Sequence, residues 1–308
     1  MKSTSVRRMT LSTAVAAALA AVAACGSPGP AAGGSSGEGL SGGDAGERQT
    51  TRVSPVAALR SAEKSTAGAE SARVRSTTTV GSVMSMTAEG SLGWADGITG
   101  TLTLTYTGGT AADTMRRLGL ASMQARYLPD AYYARMSDAF AEQAGGKHWI
   151  KYAYDDLADL RGSSGVYLKD QMRNSTPEQS VKLLLASGDV RKVGEEKVSG
   201  QNTAHYAGTV EVADLVTRGS RLDASRLADL KKQLDQAGIT TETVDIWVND
   251  RDLLVKKVEK GDTANGTMTS TAYYSDYGVR VSVEEPPAAD TEDFKALIAQ
   301  QSGSRPTS

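Results

Sequence analysis

The chain has 308 residues, with 34 basic and 36 acidic side chains, two histidines, one cysteine and a formal charge of −2. Lys and Arg alternate with Asp and Glu throughout, so the basic stripe needed to track a polyphosphate backbone is missing and no nucleic-acid partner is expected. A single cysteine excludes an intrachain disulfide.

In chain order, Lys2, Arg7 and Arg8 form a basic n-region, and Leu11 to Ala24 form an uncharged stretch too short to span a bilayer and remain there. It closes in Val22-Ala23-Ala24-Cys25, which resembles the lipobox of bacterial lipoprotein signal peptides. That resemblance implies a diacylglyceryl group on the Cys25 thiol and cleavage before it. Residues 1–24 are therefore read as a signal peptide, and the membrane as a partner through the acyl anchor on Cys25, at the outer face of the cytoplasmic membrane. Two acyl chains give lasting anchorage, each buried methylene contributing about 0.8 kcal/mol. An ordinary secretory signal followed by a structural cysteine fits poorly, because Gly26-Ser27-Pro28-Gly29-Pro30 cannot pack a core. Arg7-Arg8 would suit twin-arginine export, but Thr10 stands where a hydrophobic residue belongs, so export as an unfolded chain is expected.

Loss of Lys2, Arg7 and Arg8 from the 34 basic residues leaves 31 against 36 acidic ones, a charge near −5. Residues 25–52, mostly Gly, Ser, Ala and Pro, read as a flexible tether with a reach of roughly 25 to 30 Å. One folded domain is expected over 53–299, a size that supports a single core, followed by a disordered tail at 300–308.

Within the domain, Ser54-Pro55 suits a helix start, with serine capping free amides and proline in the first turn, and Gly68 suits its end. Strands follow at 74–80, 83–88, 92–94 and 98–106. In the last, Leu102, Leu104 and Tyr106 alternate with threonines, which makes one face apolar and one wet. Residues 121–128 and 131–136 read as a hairpin around Pro129-Asp130, and 148–152 as a strand. Thr176-Pro177-Glu178-Gln179 predicts a helix with a capping box, stopped by Gly188. A strand at 204–212 precedes an amphipathic helix opened by Asp223, with Leu227, Leu230 and Leu234 on one stripe and Gly238 at its end. A hairpin over 244–258 turns at Asn249-Asp250-Arg251-Asp252, closing strands are expected at 267–277 and 279–283, and Pro286-Pro287 is expected to end the sheet. The pattern is α+β, an antiparallel sheet with helices on one face.

Three segments carry a resemblance: Val198 to Val210, Val244-Asp245-Ile246-Trp247-Val248, and Tyr274-Ser275-Asp276-Tyr277-Gly278. Together, over about 53–287, the chain resembles LolA-like bacterial lipoproteins of the LppX/LprG type. The resemblance implies a strongly curved half-barrel whose concave face is covered by helices, an apolar cavity between them, and an acylated lipid or lipoconjugate as ligand. Candidate cavity-wall residues are Met84, Met86, Leu102, Leu104, Tyr106, Leu184 and Trp247, apolar groups that serve equally to fill a core. The runner-up is an envelope protein-interaction or sensor module of the same fold.

Catalytic and metal chemistry finds little support. Ser61-Ala62-Glu63-Lys64 matches a Ser-x-x-Lys pair but has no Lys-Thr-Gly partner and reads as solvated helix. His148 and His205 stand outside any zinc motif, and no Gly-x-Ser-x-Gly elbow occurs within 53–299. Asp155-Asp156-Leu157-Ala158-Asp159 and Asn249 to Asp252 cluster oxygens, but read as a helix start and a turn. The expectation is a non-enzymatic protein that needs no metal or cofactor, with an envelope hydrolase as the remote alternative.

Overall fold

The computed structural model describes residues 54–143, 145–160, 176–211 and 240–303. The signal peptide, Cys25, the tether and the expected helix from Asp223 lie outside the described residues.

Helix α1 (Pro55–Gly68) starts and stops where its signals stand. Ser54 Oγ accepts the Ala57 N–H at 3.2 Å, and Pro55 occupies the first turn, where a missing N–H costs nothing. Its buried stripe is Leu59, Ala62 and Thr66. Three long strands follow, β1 (Ser71–Val80), β2 (Met84–Gly93) and β3 (Thr99–Gly108). Two expected short strands are thus one continuous β2. Gly90 and Gly100 make this possible: a Cβ at Gly90 would lie 2.0 Å from the Thr101 carbonyl oxygen, and Gly100 holds φ +145 with a Cβ position 2.2 Å from the Ser91 carbonyl oxygen.

Next come α2 (Gly109–Arg117), β4 (Ser122–Tyr127), β5 (Ala131–Arg135), α3 (Asp138–Gln143), β6 (Trp149–Ala153) and α4 (Tyr154–Leu160). Helix α5 (Pro177–Ala186) lies where the proline and glycine signals put it, but the expected capping box is not made. Thr176 Oγ1 instead donates to Glu178 Oε1, leaving the cap without a side-chain bond. The remainder is β7 (Arg191–Val198), β8 (Gln201–Glu211), β9 (Thr241–Asn249), β10 (Leu254–Thr263), β11 (Gly266–Ser275), β12 (Thr291–Asp293) and α6 (Phe294–Gly303). Residues 279–283 are not a strand, and Pro286-Pro287 does not end the sheet, because the chain returns to lay β12 parallel to β6.

Among the described residues all twelve strands form one sheet in the order β12-β6-β5-β4-β3-β2-β1-β11-β10-β9-β8-β7, antiparallel except for the β12 pairing. Strongly twisted open sheets rarely pass about ten strands without curling. Here the sheet curves and stays unclosed, with β7 and β12 as its two edges. Bulges between Ser85 and Met86, Lys192 and Gly194, and Leu254 and Lys256 add local bend. The fold is α+β, as expected. Helices α1 and α5 pack on each other, and α5 lies against β8, β9 and β10.

The side-chain period of two divides the sheet into a buried inner face and a largely wetted outer one. The inner face gathers one large core, to which α1 contributes Leu59 and Ala62 and α5 contributes Val181, Leu183 and Leu184. Outside it lie two small clusters, Ala131, Tyr133 and Trp149 at one end of the sheet, and Val198, Trp247 and Val255 at the other.

Candidate functional site

On β2 and β3 the inward positions are Met84, Met86, Ala88 and Leu92, and Leu102, Leu104 and Tyr106. Register places Met86 opposite Tyr106 and Ala88 opposite Leu104, so these groups share one surface. Across β4 and β5 it continues through Met123, Ala125, Tyr127, Tyr132 and Ala134, and then through Met136 just past β5. Leu184, fully buried, joins the same core from α5. Six of the seven residues singled out from the sequence thus meet in one cluster, with Met115, Met123 and Met136 beside them. Methionine has three rotatable bonds and a polarisable sulfur, and fills irregular space readily.

Trp247 departs from this group. Val244, Ile246 and Val248 point inward from β9, so the residue between the last two points outward. Its indole Nε1–H donates to Glu196 Oε1 at 2.5 Å, its ring stacks on His205 at 4.1 Å, and Lys256 Nζ lies 3.9 Å over it. It belongs to the outer surface and lines no space beneath the sheet.

The inner face also carries charge, which the sequence reading did not anticipate. Lys257 and Glu259 project from β10 toward α5, both buried, with Lys257 Nζ 2.9 and 3.0 Å from the Glu259 oxygens. Lys257 also donates to Ser180 Oγ at 2.9 Å, and the Ser180 hydroxyl donates to Glu259 Oε1 at 2.7 Å. Glu242 stands near this pair, half-buried overall, with its Oε1 enclosed and without a hydrogen-bond partner. Burial, and secondarily the Glu259 charge, push its carboxyl up to about 8, with Lys257 acting in the opposite sense.

The remaining sequence candidates are dispersed. Ser61 and Lys64 are both exposed on α1. His148 binds Asp290 through Nδ1 at 2.7 Å beside the β6–β12 pairing, and His205 binds Asp245 through Nε2 at 2.6 Å on the outer face. Asn249 Oδ1 accepts the N–H groups of Arg251 and Leu253 at 3.0 Å each, which makes 249–252 the hairpin turn its composition suggested. Among the described residues no group of three or more His, Cys, Asp or Glu could hold a metal ion. Also among the described residues, no helix is long and apolar enough to cross a membrane.

Two open clefts, of about 480 and 420 Å³, are lined chiefly by polar groups. The first lies between Glu195, Glu196, Asn202, Tyr206 and Asn249, the second between Thr103, Ser122, Gln124, Arg135 and Asp138, and neither includes a residue of the seven.

Two Streptomyces proteins match most of the chain. SCO4650 of Streptomyces coelicolor, whose name marks it as a candidate lipoprotein, is 52% identical over 313 residues, covering 98% of this chain and 99% of that protein. An uncharacterised 31.2 kDa protein of Streptomyces griseus is 57% identical over 251 residues, covering 81% and 82%. The chain belongs to their family. No family model matches it. Among solved structures it is similar to the Mycobacterium tuberculosis lipoprotein LppX, at 16% identity and TM-score 0.45, covering 75% of this chain and 98% of LppX. It is also similar to LprF from Mycobacterium bovis, at 14% identity and TM-score 0.43, covering 75% and 96%.

Proposed function

We propose that the chain is an extracytoplasmic lipoprotein, anchored through Cys25, whose inner sheet face receives the acyl chains of a lipid. The observation that carries this reading is the composition of that face. Five methionines, Met84, Met86, Met115, Met123 and Met136, converge on one apolar core under an unclosed sheet. Acyl chains need apolar walls and little else, and a methionine-rich surface can repack around them without a fixed shape. The family relationship to a protein named as a lipoprotein, and the Cys25 motif, support the anchor. Binding, with no bond made or broken, is the activity proposed.

Leu104 and Leu184, both fully buried in that core, provide the test. Leu104→Trp or Leu184→Trp should reduce binding of a fluorescent lipid while circular dichroism stays native. If these positions only fill a close-packed core, the larger ring should cost about 1 to 3 kcal/mol of stability with no lipid signal to lose.

A second reading, docking of an envelope protein on the outer face, rests on the aromatic and basic groups there. Lys256 lies over Trp247 and Tyr273 at one end, and Arg126 lies over Trp149 and Lys151 over Tyr133 at the other. Aromatic and arginine side chains are enriched at protein interfaces. Capture of a defined partner that Trp247→Ala abolishes, with wild-type protein binding no lipid, would favour it.

A further inference from the structure

Tyr127, Tyr132 and Tyr152 form a row across β4, β5 and β6. Register sets Tyr127 directly opposite Tyr132, and Tyr132 directly opposite Tyr152, with ring centroids 5.1 and 5.6 Å apart. Phe294 of α6 continues the row at 4.7 Å from Tyr152. All three tyrosines are no more than 1% exposed, and all three belong to the inner core.

The rings pack as phenylalanine would; the hydroxyls do not need to be there for packing. Yet each phenol oxygen is enclosed and has no hydrogen-bond partner among the described residues. Buried tyrosine hydroxyls ordinarily find one, and three adjacent exceptions in one row call for an explanation. Burial raises the pKa of each, with neighbouring tyrosines adding to the effect, so all three remain neutral donors at physiological pH. The groups that act on them electrostatically are one another, Tyr106 and Tyr154, with no cation in the set.

We infer that this row is a hydrogen-bonding subsite for uncharged acceptor oxygens of a lipid, the ester or amide carbonyls that join acyl chains to a headgroup. This rests on the lipid-binding reading above and names the part of the ligand the tyrosines hold. A phosphate or carboxylate is a poor match, since an anion carried into this surrounding would lose its hydration with no cation to replace it. A carbonyl needs only a donor and tolerates apolar walls. Three donors on adjacent strands, repeating at about 4.8 Å, suit a ligand with more than one acyl linkage.

The test compares two fluorescent probes of equal chain length, a dioleoylglycerol with two ester carbonyls and its diether analogue with none, on wild type and on Y127F/Y132F/Y152F. Wild type should bind the diester about tenfold tighter than the diether. The triple variant should keep the wild-type affinity for the diether and lose the preference, with a melting temperature no lower than wild type because ring packing is retained. Tyr132→Phe alone should lose part of the preference, which decides the matter if the triple variant does not fold. Equal wild-type affinity for both probes, the result if the hydroxyls serve only ordered water, overturns the subsite and leaves lipid binding standing. A preference undiminished in the folded variants also overturns it. Wild-type protein that binds neither probe overturns the subsite and the lipid reading together.

Discussion

Lys257, Glu259 and Ser180 satisfy one another beneath the sheet, and the balance is asymmetric. Two charges taken out of water offset each other only while both are present, so removing one leaves the other uncompensated. Lys257→Met should destabilise the domain by about 3 to 5 kcal/mol in urea unfolding, whereas adding Glu259→Leu should recover most of that loss. A single variant that unfolds within error of wild type would mean the pair contributes nothing. Glu242 offers a separate test. Its folded pKa, raised to about 8, lies above the ordinary carboxyl value, so the folded state holds this proton more tightly than the unfolded chain does. The associated stability is fully present below the unfolded pKa and is lost as pH rises through about 8. Melting temperature should therefore fall between pH 5 and pH 9 in wild type, and Glu242→Gln should flatten that fall. An unchanged slope would assign the pH dependence to another group. The charge pair is not legible in the sequence, because the bulge between Leu254 and Lys256 resets which residues of β10 face inward, whereas Glu242 keeps the inward parity of Val244, Ile246 and Val248 on β9. Simple alternation around Val258 would send Lys257 and Glu259 to solvent. Trp247 is the opposite case. The alternation of Val244, Ile246 and Val248 already places it on the far face, and treating it as an inward group let residue type outweigh parity.

Elements with strong local punctuation were the ones visible in advance. Ser54-Pro55 and Gly68 frame α1, and Pro177 with Gly188 frames α5, since capping chemistry acts within a few residues. Ser54→Ala should cost about 1 kcal/mol through the lost bond to the Ala57 amide, measured by thermal or urea unfolding. No change would show that the amide is served as well by water. The missed elements lack such signals. Strand β7, Arg191–Val198, is an edge strand exposed along most of its length, so no apolar alternation marks it, and its charges discourage pairing with another chain. Strand β12 has three residues and owes its place to its parallel register with β6. Helix α2 begins within Gly108-Gly109, a pair that reads as a break, although Gly108 is its N-cap and Gly109, at φ +81, is its first residue. The tyrosine row was also hidden. Tyr127, Tyr132 and Tyr152 become neighbours only once β4, β5 and β6 pair in register, and nothing in the spacing of 127, 132 and 152 announces it.

For the whole molecule, the α+β class followed from strand and helix periods, while the curl of the sheet came from the family resemblance, since curvature is a property of twelve strands acting together. The anchor is testable at the same scale. Cys25→Ala should move the protein from the membrane fraction to the soluble fraction, because the thiol is the proposed attachment point. Retention after a high-salt wash would contradict the anchor. The central claim is that the inner face of the sheet binds acyl chains, and it is tested most directly by extracting purified Cys25→Ala protein, free of its own acyl groups, with organic solvent and weighing what is released by mass spectrometry. The account predicts an acylated lipid in near-stoichiometric amount, reduced in the Leu104→Trp variant. Protein that releases no lipid and takes up none when offered acylated lipids would contradict it.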